Sequence, residues 1–84
     1  MKVTWIADSG HEWLKVPLKS CEGLEISSFS YWQGAHAYLE GDCDAGLWLM
    51  AQDPSVTIDV EWQQIDGDWH GRYDFARFAQ KVEA

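Results

Sequence analysis

Between Val56 and Trp62 the apolar residues Val56, Ile58, Val60 and Trp62 alternate with Thr57, Asp59 and Glu61. A period of two marks a β-strand with one buried and one wet face, which antiparallel sheets permit. A strand needs partners, so this segment commits the chain to a sheet. Residues 3–7 place Val3, Trp5 and Ala7 on one face, Asp8-Ser9-Gly10 has turn chemistry, and residues 12–16 are again extended. That pattern predicts a first hairpin, stopped at Pro17. Residues 18–24 read as a short helical turn ended by Gly23.

The serine- and aromatic-rich residues 26–32 are expected to enter a second hairpin across Gln33-Gly34, returning through His36 to Glu40. With those two residues as the loop, Phe29, Tyr31, His36 and Tyr38 share one face, and Ser28, Ser30, Ala37 and Leu39 the other. Residues 45–52 predict a short helix turning Leu47, Met50 and Ala51 toward the core and stopped by Asp53-Pro54. Asp66-Gly67-Asp68 reads as a loop. Asp74 then has the position of a cap on a C-terminal helix carrying Phe75, Phe78, Ala79 and Val82, with Lys81 near its negative end. The expected fold class is α+β: one domain over residues 1–84, with an antiparallel four- to five-stranded sheet. A short central helix and the C-terminal helix would pack on one of its faces.

Charge is distributed just as unevenly. From Ser20 to Gly71 there is no Lys or Arg, while ten carboxylates fall between Glu22 and Asp68. The basic residues Lys2, Lys15 and Lys19 precede this span, and Arg72, Arg77 and Lys81 follow it, giving a net charge of −8. Such a chain disfavours direct contact with nucleic acid or anionic lipid, which are bound by Lys and Arg, and favours a basic surface on a protein or ribonucleoprotein partner. No segment has the length of a signal-peptide core or a membrane helix, so the chain reads as cytoplasmic.

Three acidic pairs stand two residues apart: Asp42 and Asp44, Asp59 and Glu61, Asp66 and Asp68. On an extended segment such a pair projects from one face about 6.5–7 Å apart, comparable with phosphate spacing along a nucleic-acid strand. The same residues also suit a helix start, a solvated strand face and a turn. Six tryptophans among twelve large aromatic residues exceed what a small core readily sequesters. Trp5 and Trp62 are in phase with buried strand faces, whereas Trp69 and Trp32 are the expected exposed anchors for a partner.

Catalytic and metal signatures are weak. Cys21 and Cys43 lack CxxC spacing and read as reduced, structural thiols, with a single bridge as the alternative. His11, His36 and His70 have no ligand spacing, although His36, Asp42 and Cys43 could converge in a fold that brought them together. Asp66, Asp68 and Asp74 fail as a calcium loop, because His70 stands at a ligand position and Arg77 where the closing Glu belongs. No nucleophile motif or phosphate-cradling loop is present, so neither a cofactor nor an enzyme is expected.

The segments Ser9-Gly10-His11-Glu12-Trp13-Leu14-Lys15-Val16-Pro17 and Ala37-Tyr38-Leu39-Glu40-Gly41-Asp42-Cys43-Asp44, with Ile26-Ser27-Ser28-Phe29-Ser30-Tyr31 between them, resemble small acidic proteins encoded by bacteriophages, prophages and plasmids. The resemblance covers roughly the first 50 residues and brings no catalytic residues with it. It implies anti-CRISPR or other anti-defence activity, in which an acidic surface occupies a nucleic-acid-binding surface of the host. The alternative is an accessory interaction domain of the same elements without nucleic-acid mimicry.

Overall fold

The computed structural model describes residues 1–78. A first hairpin joins β1 (Lys2–Ala7) to β2 (Glu12–Pro17), as expected, and a 3-10 turn at Leu18–Cys21 follows. The second hairpin joins β3 (Tyr31–Gln33) to β4 (His36–Glu40), then come α1 (Asp44–Met50), β5 (Asp59–Gln64), a second 3-10 turn at His70–Asp74 and the short β6 (Ala76–Arg77). The strands form one six-stranded sheet in the order β5-β1-β2-β4-β3-β6.

The sheet is mixed rather than purely antiparallel, and larger than the expected four or five strands. The connection β4–α1–β5 carries the chain over β2 and β1 and lays β5 parallel to β1, with Trp5 opposite Trp62. Since β1 and β4 each oppose β2, all three of β1, β4 and β5 run the same way. The sixth strand, β6, is two residues opposite Tyr31 and Trp32, too short to leave a periodic signal.

The second hairpin turns one residue later than the sequence suggested, with Gly34-Ala35 as the loop and Gln33 opposite His36. Gly34 has φ +58° and Ala35 is not in the positive-φ region, the pattern of a turn that requires glycine at its first loop position. Because both flanks shift by one residue, side-chain parity survives: Tyr31, His36 and Tyr38 still share a face, although Phe29 lies outside the strand.

Both faces of the sheet are covered. On one, Val3, Leu14, Val16, Ala37 and Leu39 pack against Cys21, Ile26, Ala45 and Trp48. On the other, Ile6, Trp13, Tyr31 and Tyr38 meet Ile65, Trp69 and Phe75. Helix α1 is rotated from its expected phase. Its buried residues are Asp44, Ala45 and Trp48, while Leu47 is exposed and Met50 is 88% exposed. The rotation follows from two polar ties. The Asp44 carboxylate accepts bonds from the Ser27 N–H and from the Ser27 and Ser30 hydroxyls, and Trp48 Nε1 donates to Ser20 Oγ at 2.8 Å. A buried carboxylate must be hydrogen-bonded, so its partners set the helix face.

The expected C-terminal helix does not begin at Asp74. That residue closes a 3-10 turn, Phe75 is extended and β6 follows, because aromatic packing of Phe75 on Tyr38 and pairing of β6 with β3 claim this stretch. Ala79, Lys81 and Val82 lie outside the described residues. The strand expected over 56–62 begins only at Asp59, and as the sheet's outer strand it is exposed throughout. Trp62, expected in the core, is 69% exposed and stacks on Trp5 at 6.0 Å. Alternation reveals an apolar face but not whether another layer covers it.

Truncating the two tryptophans should separate these environments. Trp48→Ala is expected to cost about 3–5 kcal/mol of unfolding free energy, and Trp62→Ala about 1 kcal/mol or less. Urea titration of the two variants measures this, and equal losses would contradict the assignment of Trp48 alone to the core.

Candidate functional site

The shared direction of β1, β4 and β5 brings their exits to one end of the sheet. There the turn after β1, the turn after β4 and the loop after β5 are tied together. Ser9 N–H donates to Gly67 O at 3.0 Å, Gly41 N–H to Glu12 O at 2.8 Å and Ser9 Oγ to Asp68 Oδ1 at 3.0 Å. Gly41 allows the close approach, since a Cβ there would stand 3.0 Å from the Glu12 carbonyl oxygen.

Asp8 is the centre of this end. Its carboxylate is buried and accepts N–H bonds from Gly10 at 2.9 Å and His11 at 2.7 Å on Oδ1, and from Trp69 at 2.9 Å on Oδ2. Arg72 Nη1 lies 3.7 Å from Oδ2 and donates to Trp69 O at 2.6 Å. The guanidinium also stacks over Trp13 at 5.0 Å and Tyr73 at 4.2 Å. Burial pushes the Asp8 carboxyl up, but the backbone donors from Trp69, Gly10 and His11 outweigh it and hold the group below its ordinary value.

Around this buried anchor the surface is acidic. Asp8, Ser9, Gly10, His11, Glu12, Glu40 and Asp42 line an open cleft of about 400 Å³. Asp42 is exposed at its rim, with its N–H on Glu40 Oε1 at 3.1 Å, and Asp66 and Asp68 are exposed on the adjoining loop. Lys2 and Lys19 lie toward the opposite end of the sheet, and Lys15 sits late in β2. The N-terminal lysines are thus separated from these carboxylates along the strands, whereas Arg72 and Arg77 line a neighbouring pocket with Glu40 and Asp42.

The residues singled out from sequence are divided by this geometry. Asp42, Asp66 and Asp68 are gathered at the acidic end. Asp59 and Glu61 lie instead along β5, where Lys2 Nζ is 2.8 Å from Glu61 Oε1. Asp44 is buried against Ser27 and Ser30 and presents nothing to a partner. Trp69 is partly buried rather than protruding, packed edge-on against Trp13 at 5.3 Å and Phe75 at 5.5 Å. Trp32 is 38% exposed, on the helix-covered side of β3. His36 and Asp42 lie at opposite ends of β4, and among the described residues no three of His, Cys, Asp and Glu converge on a metal position. Cys21 is buried and Cys43 exposed, and neither is bonded to the other.

Sequence reasoning missed Glu12, Glu40 and Asp8. Glu40 stands opposite Trp13 of β2, and the Glu12 carbonyl accepts the Gly41 N–H just past β4, so the two acids meet only through strand register and no local spacing could have joined them. Asp8 carried a usable signal, because Asp-Ser-Gly is a turn in which the Asp side chain bonds backbone donors two and three residues on. Comparison of the chain with known protein families, curated proteins and solved structures finds no match.

Because the folded value of Asp8 lies below that of the unfolded chain, its stabilising contribution is complete above the ordinary carboxylate value of about 3.9 and is lost as pH falls through the lower folded value. Asp8→Asn is expected to lose about 3 kcal/mol or more at neutral pH, since Arg72 is left buried without its counter-charge, and to lose this part of the acid dependence. Urea unfolding of both proteins from neutral to acid pH checks it, and parallel pH profiles would contradict the role given to Asp8.

Proposed function

We propose that this is a non-enzymatic acidic binding protein, carried by a phage or another mobile element, that occupies a basic nucleic-acid-binding surface of a host defence complex in the cytoplasm. The observation that supports this reading is the segregation of Glu12, Glu40, Asp42, Asp66 and Asp68 to one end of the sheet, with the N-terminal lysines away from them. An acidic patch steers association with a basic one and raises the rate of encounter, and Arg72 and Arg77 lie on one side of it, in a pocket shared with Glu40 and Asp42. Hydrogen bonds among Ser9, Glu12, Gly41, Gly67 and Asp68 hold these turns in place, so less order has to be imposed on binding.

The route differs from a simple phosphate ladder along a strand. Asp44 is buried and Asp66 and Asp68 lie in a loop, so only Asp59 and Glu61 keep strand spacing. The acidic surface is assembled from three turns rather than from one extended segment.

The experiment is inhibition of CRISPR interference and restriction across a panel of host systems, followed by nucleic-acid binding of any complex that is inhibited. Wild-type protein should displace the nucleic acid, and Asp42→Lys with Asp66→Lys should weaken inhibition at least about tenfold. Affinity should fall as salt rises from about 50 to about 500 mM, where the Debye length shortens roughly threefold. A complex that still binds its nucleic acid while bound to this protein would replace the reading with an interaction domain that does not compete for that surface. Inhibition unchanged by the charge reversals would remove the acidic end from the mechanism.

A further inference from the structure

Strand β5 ends the sheet with all six residues exposed, and the carboxylates Asp59 and Glu61 are its only protection against pairing along that edge. Residues 59–64 contain no Pro and no Lys, and their pairing with β1 runs without a bulge from Lys2 opposite Asp59 to Ala7 opposite Gln64. At the two ends of this pairing the Asp59 N–H donates to Met1 O and the Ile65 N–H to Ala7 O, both at 2.8 Å. In a parallel ladder alternate residues bond the same neighbour, so 59, 61, 63 and 65 are turned to β1. The backbone groups of Val60, Trp62 and Gln64 point away from the sheet.

The side chains beside this open ladder are of two kinds. On one face Val60 is 42% exposed, and Trp62 is held against Trp5 with ring planes 21° apart, a rigid aromatic anchor. On the other face stand Asp59 and Glu61. Lys2, which pairs with Glu61, belongs to β1, on the inner side. A strand added outside β5 would place its own side chains about 4.5–5.5 Å from these carboxylates.

We propose that the outer edge of β5 receives an extended segment of a partner protein as a seventh strand, and that this segment alternates basic with apolar residues. The basic side chains meet Asp59 and Glu61, and the apolar ones cover Val60 and Trp62. Main-chain bonds to residues 60, 62 and 64 supply affinity, and the alternation supplies specificity. A second copy of this chain fits less well. Antiparallel self-pairing centred on Val60 sets Asp59 against Glu61, centring on Glu61 sets it against itself, and centring on Trp62 brings the carboxylates no cation from the second copy, between two bodies of charge −8. The inference deepens the function proposed above by naming the shape of the partner element, and it rests on that reading for the partner's basic character.

The test uses the whole chain and a synthetic peptide of alternating lysine and valine, with the same peptide methylated on alternate backbone nitrogens, in either phase, as control. The expected result is slowed amide exchange at Val60, Trp62 and Gln64 on adding the first peptide, with a shift of Trp62 fluorescence. Methylation in the phase that faces β5 should weaken binding at least tenfold at constant charge. Trp62→Pro removes one outward N–H without touching the bonds to β1, and should have the same effect while leaving the circular dichroism of the fold intact. If that variant does not fold, the methylated peptides decide alone. Equal binding of the unmethylated and both methylated peptides, or no protection at these amides, would overturn the proposal. Concentration-dependent dimerisation with the same amides protected and no peptide present would overturn it in favour of self-pairing. If Asp42→Lys with Asp66→Lys abolishes inhibition of a host complex while Trp62→Pro leaves it unchanged, the edge inference fails and the acidic-end reading stands.

Discussion

Burying the Asp8 carboxylate in a domain this small costs free energy that only its partners can offset, and those partners come from distant parts of the chain. Gly10 and His11 belong to the turn between β1 and β2, whereas Trp69 and Arg72 lie more than sixty residues on. The segment they anchor has little regular structure of its own, only a five-residue 3-10 turn. It nevertheless covers Ile6, Trp13, Tyr31 and Tyr38 on one face of the sheet with Trp69 and Phe75. Without Asp8 the middle of this segment would be held by ring contacts alone, between the Ser9 bonds to Gly67 and Asp68 at one end and the pairing of β6 with β3 at the other.

Asp44 does for the opposite face what Asp8 does here. It is buried, is bonded to Ser27 and Ser30, and presses α1 onto Leu39 and Val16 through Ala45 and Trp48. Two of the fourteen acidic residues are thus used to fasten the covering layers. Five of the others, Glu12, Glu40, Asp42, Asp66 and Asp68, are gathered by strand direction. Because β1, β4 and β5 run alike, the polar turns that leave them gather at one end, and a sequence with no lysine between residues 20 and 71 makes that end acidic.

The local elements were legible from sequence wherever turn chemistry and period agreed: the first hairpin, the second hairpin to within one residue, the turn after Pro17 and the existence of α1. What stayed hidden was set by long-range contacts. The phase of α1 depends on Asp44 reaching Ser27 and Ser30, and apolar count alone favoured Leu47 and Met50. Trp62 and Trp69 exchanged their expected environments for the same reason. An alternating strand became an outer edge, and a tryptophan in a polar loop was drawn down between Trp13 and Phe75. Of the acidic site, the exposed Asp42, Asp66 and Asp68 were visible, but Glu12 and Glu40 joined them only through register.

The parallel pairing of β1 with β5 also orders the assembly of the domain in time. β1 to β4 are joined by neighbouring pairings within the first forty residues, and the two hairpins close over short loops. β5 returns across 57 positions of sequence to meet Lys2 and Asp59, so its closure carries the larger entropy cost and the slower search. Until β5 pairs, β1 is therefore the outer strand, its backbone open along the edge that β5 will take. The partly paired sheet and the finished one thus expose different edges, β1 in the first and β5 in the second.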